Sequence, residues 1–573
     1  MSIVLPMETS RAAASPNEAE FAPPVATDHE AHGPAPWPRW LWAVALGLVL
    51  LGLAWRTVRY FERFPIWGDE AFVCLNFLDR DYLGLLRPLR FAQVAPVLFL
   101  WTEYTAHQLL GGSEMSLRLL PFLAGLAAVG LFWRLARITL SPMAGALATG
   151  ILAVSYYPVR HACEAKPYAF DLAIAVVLFL VAAAWMKEPR RLKPLAALTL
   201  FLPLALGISY PAVFVAGAIS IAILPIMWRQ SDWGARGMYL LFSAVLLASF
   251  FGWYYFVGLG QYSSAHGAEN NQWDMWFPPN HLIQLLEWLA AAHSGNMLAY
   301  PLGGPNAGSV FSGLLCLAGA WQLGRSRRWE LLLLLLCPFV LTLCAAALHR
   351  YPYGGSARVA QHLAPAICLL AGNGAAWCFG WFQSAAARRR CMLATCGLLA
   401  IIGVVGLSRD LVRPYKAEGD RVARRLAQGI AEQAGASDQV VVIDEDWRLP
   451  PGMEWYLRQS GAKVFWNAQM DRQLLTTATR RVWVFLFCTA PQRLARLSRV
   501  EAELTAGPRI FELARQAECQ FPFGWDAEHA DRCRVFYWVH REEATDSGVV
   551  IMAAGDARSI GSGLAPAALD MRP

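Results

Sequence analysis

Asp69 and Glu70, in the run Phe64-Pro65-Ile66-Trp67-Gly68-Asp69-Glu70-Ala71, stand just past the first long apolar stretch of this chain. Two adjacent acids at a bilayer edge are costly unless water, partners or chemistry hold them there. A carboxylate so placed can take a proton as a general base. Arg350 and Arg358, and the group His161, Glu164 and Lys166, fall in segments that the topology below puts on the same side. A guanidinium binds a phosphate through two donors. The Gly354-Gly355-Ser356 run beside Arg358 permits close backbone approach to such a group. Structural roles compete with each of these. Asp69 also suits a helix N-cap or an ion pair, Glu70 a partner of Arg59, Arg63 or Arg118, and Arg160 and Lys166 contact with lipid headgroups.

The frame that must carry these residues is membranous. The chain has 573 residues, 56% hydrophobic and 16% charged, with a mean hydropathy of +0.35, whereas soluble domains carry roughly 25% charged residues. Its 24 Trp fit a protein with two membrane interfaces. The net charge of +7 is spread through short loops without a basic groove, which argues against a nucleic-acid partner. The 12 Cys show no CxxC pairing, and Cys337, Cys344 and Cys368 sit in apolar runs as small hydrophobes.

About 11 apolar runs approach the roughly 20 residues that a bilayer requires. They lie near 38–56, 116–134, 138–158, 168–186, 194–210, 211–228, 238–258, 306–324, 330–348, 360–383 and 391–408. Ser209-Tyr210-Pro211 makes the fifth and sixth a tight hairpin. Alternate loops are basic: Arg134 and Arg137; Lys187, Arg190, Arg191 and Lys193; Arg229 and Arg236; Arg325, Arg327 and Arg328; Arg388, Arg389 and Arg390. The long loop 258–305 has no Lys or Arg at all. The positive-inside rule therefore turns Asp69, Glu70, that loop and everything after residue 408 outward. Arg350 and Arg358 break this bias, so each needs a reason: a bound phosphate, or the acids of segment 57–115.

Tyr82–Leu86, Leu98–Trp101 and His281–Leu289 suit helices lying in the interface plane. Residues 1–36 read as a disordered cytoplasmic tail, and the first span as a retained anchor rather than a signal peptide. A membrane domain over 37–408 is followed by a soluble composition over 409–544. There, strand runs at 439–443, 481–487 and 534–539 alternate with helical spacing at 419–433 and 455–460, predicting a small outer α/β domain. Cys519 and Cys533 lie in it and are candidates for a bridge, and 545–573 reads as a flexible tail.

Three blocks together resemble the GT-C fold glycosyltransferases of the protein O-mannosyltransferase and aminoarabinose-transferase group. They are Asp69-Glu70 with Gln93-Val94-Ala95-Pro96-Val97-Leu98-Phe99 and Ser116–Pro121; the outer loop Tyr156–Tyr168; and Tyr351–Arg358. The resemblance covers roughly residues 38–410. It implies a polytopic α-helical protein that moves a sugar from a polyprenyl-phosphate carrier to an acceptor at the outer face. Asp69 matches the catalytic acid, with Glu70 beside it. The donor phosphate would meet Arg358, Arg350 or Lys166, the last standing in for a family Lys absent from Gln93–Pro96. Glu164, His161, Gln93 and Tyr168 are candidates for acceptor or sugar contact. Ala71-Phe72 replaces the aromatic pair with His of the mannosyltransferases, so donor sugar and acceptor stay open.

No obligatory metal or other cofactor is expected, although a divalent ion is compatible with the family. Outward histidines such as His349 and His362 lack close ligand spacing. Trp273 and Trp276 suit either carbohydrate stacking or a membrane interface. Besides the sugar donor, the implied partners are membrane lipids and an acceptor of protein, lipid or glycan. A bacterial inner membrane, with the site and C-terminal domain facing the periplasm, is the implied location. Two alternatives remain: a lipid-linked glycan transporter or flippase, whose site would lie at the midplane in repeated halves, and an oligosaccharide ligase or polymerase.

Overall fold

The structure, a computed structural model, describes residues 37–229, 233–266, 274–303, 307–413, 418–432, 438–444, 452–459, 463–466, 481–487, 502, 511–522 and 530–540. Both expected tails and Trp273 lie outside the described residues. The chain opens with α1 (Arg39–Phe61), then two helices of segment 57–115, α2 (Gly68–Asp79) and α3 (Val97–Leu110). The helical body continues through α4 (Glu114–Thr139), α5 (Pro142–Ala153), α6 (Tyr156–His161), α7 (Tyr168–Lys187), α8 (Leu192–Ile208) and α9 (Ala212–Arg229). Next, α10 (Trp233–Trp253) runs through a π turn at Tyr254–Gly258 into α11 (Leu259–His266). The body closes with α12 (Leu282–Ser294), α13 (Gly308–Arg325), α14 (Trp329–Ala347), α15 (Ala364–Phe379) and α16 (Ala385–Val412).

Local chemistry sets several ends. The Ser113 hydroxyl accepts from the Ser116 amide at 3.1 Å and caps α4. Helix α3 starts behind Pro96 and stops at Gly111, whose left-handed backbone turns its amide back onto the His107 carbonyl.

Among the described residues, eight helices are long and apolar enough to cross a membrane. This falls short of the 11 or so expected, and the difference lies in three runs. Helix α5 has 12 residues and α8 has 17, while α13 reaches 18 but is diluted by Gly, Ser and Gln. Helix α5 is enclosed by protein along nearly its whole length, so its apolar run reflects a protein interior rather than a lipid surface. Elsewhere the apolar surface is plain: Leu240, Phe256, Leu317 and Val405 are exposed, as suits a lipid solvent. Between α13 and α15 small residues let backbones touch. A Cβ on Gly319 would stand 2.0 Å from the Leu370 carbonyl oxygen, and one on Gly374 2.0 Å from that of Leu315.

After α16 come α17 (Glu418–Ala431), β1 (Gln439–Asp444), α18 (Gly452–Arg458), β2 (Lys463–Trp466), β3 (Arg481–Phe487), β4 (Phe511–Pro522) and β5 (Ala530–His540). They build a five-stranded sheet in the order β2-β1-β3-β5-β4. Strands β2, β1 and β3 are parallel, and β5 and β4 add antiparallel, with Val441 opposite Val484 and Val484 opposite Phe536. The β4–β5 register sets Cys519 opposite Cys533. Ala423, Ala427, Trp455 and Leu457 share one hydrophobic core with Ala71, Val73 and Leu75 of α2. Segment 57–115 and the C-terminal elements therefore meet through α2.

Candidate active site

The two acids at the start of α2 part company. Glu70 is fully buried. Arg118 of α4 grips it through Nε to Oε1 at 2.8 Å and Nη2 to Oε2 at 2.6 Å. The Ala165 amide donates to Oε1 at 2.7 Å, and the Trp67 amide to Oε2 at 3.4 Å, the reach-back of a helix-capping acid. Arg118 spends its remaining donors on the carbonyls of Phe64, at 2.6 Å, and Pro65, at 3.1 Å, and lies 3.8 Å over the Phe64 ring. Glu70 thus ties the 64–67 connector, α4 and the loop after α6 into one unit.

Asp69 turns elsewhere, because neighbours on a helix project about 100° apart. Its Oδ2 accepts from Arg358 Nη1, in an ion pair whose side chains remain 23% and 20% exposed. Arg358 comes from the turn ahead of α15 and also lies 5.8 Å from the Trp276 ring centroid. Gly355 is required at that turn, since a Cβ there would stand 2.3 Å from Trp276. Its neighbour Gly354 takes a left-handed φ of 83°. Burial works against the Arg358 charge, but Tyr168, Asp69 and Glu164 outweigh it and raise its pKa.

Lys166 is buried close by, with Nζ donating to Gln93 Oε1 at 2.8 Å. Burial pushes its ammonium below the ordinary pKa; Asp69 pulls the other way and Arg358 adds to the fall. Gln93 follows two non-glycine residues in the left-handed region, Phe91 at φ 60° and Ala92 at φ 52°. Such strained backbone persists where surrounding contacts fix it and is frequent at functional sites.

The loop after α6 supplies a third group. Glu164 accepts from Arg160 Nε at 2.8 Å and pairs with His161 Nδ1 at 2.7 Å. Burial alone would raise the Glu164 pKa, but Arg160 and His161 hold it well below the usual carboxylate range. Burial lowers the pKa of His161, which stacks on Tyr157 at 6.0 Å and meets Tyr168 edge-on at 5.1 Å. Tyr168 in turn interacts electrostatically with Asp69, Arg358 and Glu164. The fold thus gathers Asp69, Arg358, Lys166, Gln93, Tyr168, His161 and Glu164.

Arg350 stays outside this group. It is exposed and lies 4.9 Å over the Tyr262 ring. His349 and His362 do not converge: His349 lies against Phe277, while His362 Nε2 is 3.0 Å from the Thr342 hydroxyl. Among the described residues no three His, Cys, Asp or Glu side chains are arranged to hold a metal ion. Sequence reasoning passed over two buried acids. Asp171, in the first turn of α7, accepts from the Ser209 hydroxyl at 2.6 Å. Glu103 of α3 is fully buried, and neither of its carboxylate oxygens has a partner among the described residues. A lone acid inside an apolar run was the signal for both.

Residues 94–256 match the family model described as dolichyl-phosphate-mannose-protein mannosyltransferase. That stretch includes the Glu164 loop and Lys166 but neither Asp69 nor Arg358. The structure matches the crystal structure of ArnT from Cupriavidus metallidurans in the apo state with a TM-score of 0.52 and 14% identity, covering 86% of this chain and 98% of that one. It also matches ArnT from the same organism bound to undecaprenyl phosphate, with a TM-score of 0.51 and 14% identity, covering 87% and 97%. No curated protein sequence matches the chain. The chain has an ArnT-like GT-C fold.

Proposed function

We propose that this chain is a membrane glycosyltransferase that takes a sugar from a polyprenyl-phosphate carrier and passes it, with inversion, to an acceptor at the outer face. The observation that carries this reading is the partly open Asp69–Arg358 pair with Lys166 buried alongside. An acceptor hydroxyl or amine forms a bond to the anomeric carbon while its proton passes to the free Asp69 carboxylate oxygen. The bond from that carbon to the phosphate oxygen breaks, and the electron pair leaves on the lipid phosphate. The charge growing there is met by Arg358 and Lys166. Arg358 pairs with Asp69. A donor phosphate competes for that guanidinium, so donor binding itself releases the base. Gln93 sets Lys166, while Tyr168 beside Asp69 and the His161–Glu164 pair on the Arg358 side contact sugar or acceptor.

Support for the carrier comes from the mannosyltransferase family match and from the ArnT structure bound to undecaprenyl phosphate. The charge bias of the loops supports an outward site, in a bacterium the periplasmic face of the inner membrane. The test uses full-length protein in lipid, labelled polyprenyl-phosphate sugars and a membrane extract as acceptor, following release of polyprenyl phosphate. Asp69→Asn is expected to cut turnover by about 10²–10⁴-fold with folding intact. Equal turnover by both proteins removes Asp69 as the base.

A further inference from the structure

We propose that the C-terminal domain positions the catalytic acid, with Tyr456 of α18 as the positioning residue. This rests on the reading of Asp69 as the base. The connector entering α2 holds Ile66, three positions before Asp69. The Ile66 amide donates to the Tyr456 hydroxyl at 2.9 Å, and that hydroxyl donates onward to Glu114 Oε1 at 2.8 Å. Glu114 is at the start of α4, one turn before the Arg118 that grips Glu70. Arg424 of α17 reaches the same place, donating to the Arg63 carbonyl at 2.6 Å and to Glu114 Oε1 at 3.3 Å.

Contact between the two segments is close. A Cβ on Gly452 would stand 2.3 Å from the Ile66 carbonyl oxygen, so the first residue of α18 must be a glycine to rest on the connector backbone. At the other end of α2, Arg458 makes a two-pronged ion pair with Asp79, one bond measuring 3.0 Å. Helix α18 therefore holds α2 at both ends. Removing the Tyr456 hydroxyl leaves a buried amide without its acceptor and frees the turn that aims Asp69. A displacement of about 1 Å at reacting atoms costs on the order of 10²-fold in rate.

The test compares full-length wild type, Tyr456→Phe and Arg458→Gln in lipid nanodiscs. Amide hydrogen exchange over residues 64–79 needs no substrate and is expected to quicken about tenfold in Tyr456→Phe, with 168–187 unchanged. Affinity for undecaprenyl phosphate alone, the probe for the Arg358 side, should stay within about twofold, with Tm lowered by only about 2–4 °C. With a donor that wild type turns over, kcat should fall about tenfold while the donor KM stays within about twofold. Arg458→Gln should quicken exchange toward the 79 end of the segment. Wild-type exchange and kcat in Tyr456→Phe would overturn the proposal, as would a larger fall in Tm with exchange rising across the whole protein. If wild type turns over no donor, the transferase reading fails, and the exchange measurement alone still decides whether α18 braces α2.

Discussion

On one face of α2, Glu70 is sealed between Arg118 and the Ala165 amide, while one residue earlier Asp69 keeps 20% of its side chain exposed against a single arginine. Both acids have a cation, yet the surroundings give them opposite uses. A carboxylate with every lone pair engaged and no access to water has been made into a structural tie. A carboxylate paired with one arginine among the described residues, itself 23% exposed, keeps a pair that a competing anion can exchange. The contrast teaches that reactivity here depends less on charge than on how many of its bonds are replaceable.

Breaking the sealed side should have the largest effect. Arg118→Met leaves Glu70 buried without its counter-ion, and such an orphaned charge costs about 3–5 kcal/mol. Thermal unfolding in lipid is expected to show this as a strong drop in Tm, or as failure to accumulate folded protein. A variant as stable as wild type would dissolve the distinction between the two faces.

A change on the open side should instead spare stability and reach function. Arg358→Lys keeps the charge but loses the planar fork, so turnover should fall about 10–100-fold with little change in Tm. The matching Arg350→Lys, at an exposed residue stacked on Tyr262, should stay within about twofold of wild type. Equal losses in both would show that Arg350 also serves the donor.

The smallest effect sharpens the comparison inside the sealed layer. Glu103 is raised well above the usual carboxylate range, by burial first and then by Glu70. It is therefore protonated when folded and ionised when unfolded, which makes it lose stability as pH climbs from the unfolded value toward the folded one. Glu103→Gln removes that loss and should raise stability by about 1 kcal/mol at pH 8, and by less at pH 5. Melting curves at the two pH values check the sign, and destabilisation growing with pH would overturn it.

Much of this was legible in one dimension. Long apolar runs mark helices α1, α4, α7, α9, α10, α14, α15 and α16, because a lipid solvent leaves little choice of composition. Asp69 stands out by its place at a span edge, and Arg358 by violating the loop charge bias. Helix α2 was not legible. Its sequence is half apolar without a long run, and it is helical because Glu70 caps it and α18 packs on it. The run read over 138–158 exceeds the 12-residue α5 for a related reason, since an apolar run cannot tell lipid from the interior of a helical body.

The sequence by itself determined a membrane-embedded helical chain with acids and arginines at the ends of its apolar runs. Solvent preference acts residue by residue, and that much is local. Tertiary structure alone decided which acid of the pair at 69–70 stays available. It also decided that Arg358 rather than Arg350 meets it, and that the C-terminal α18 grips the helix they share. Those outcomes rest on contacts between residues 48, 289 and 390 positions apart. On a helix, a turn of about 100° between neighbours is enough to send one acid into a buried arginine and leave the other facing an open site.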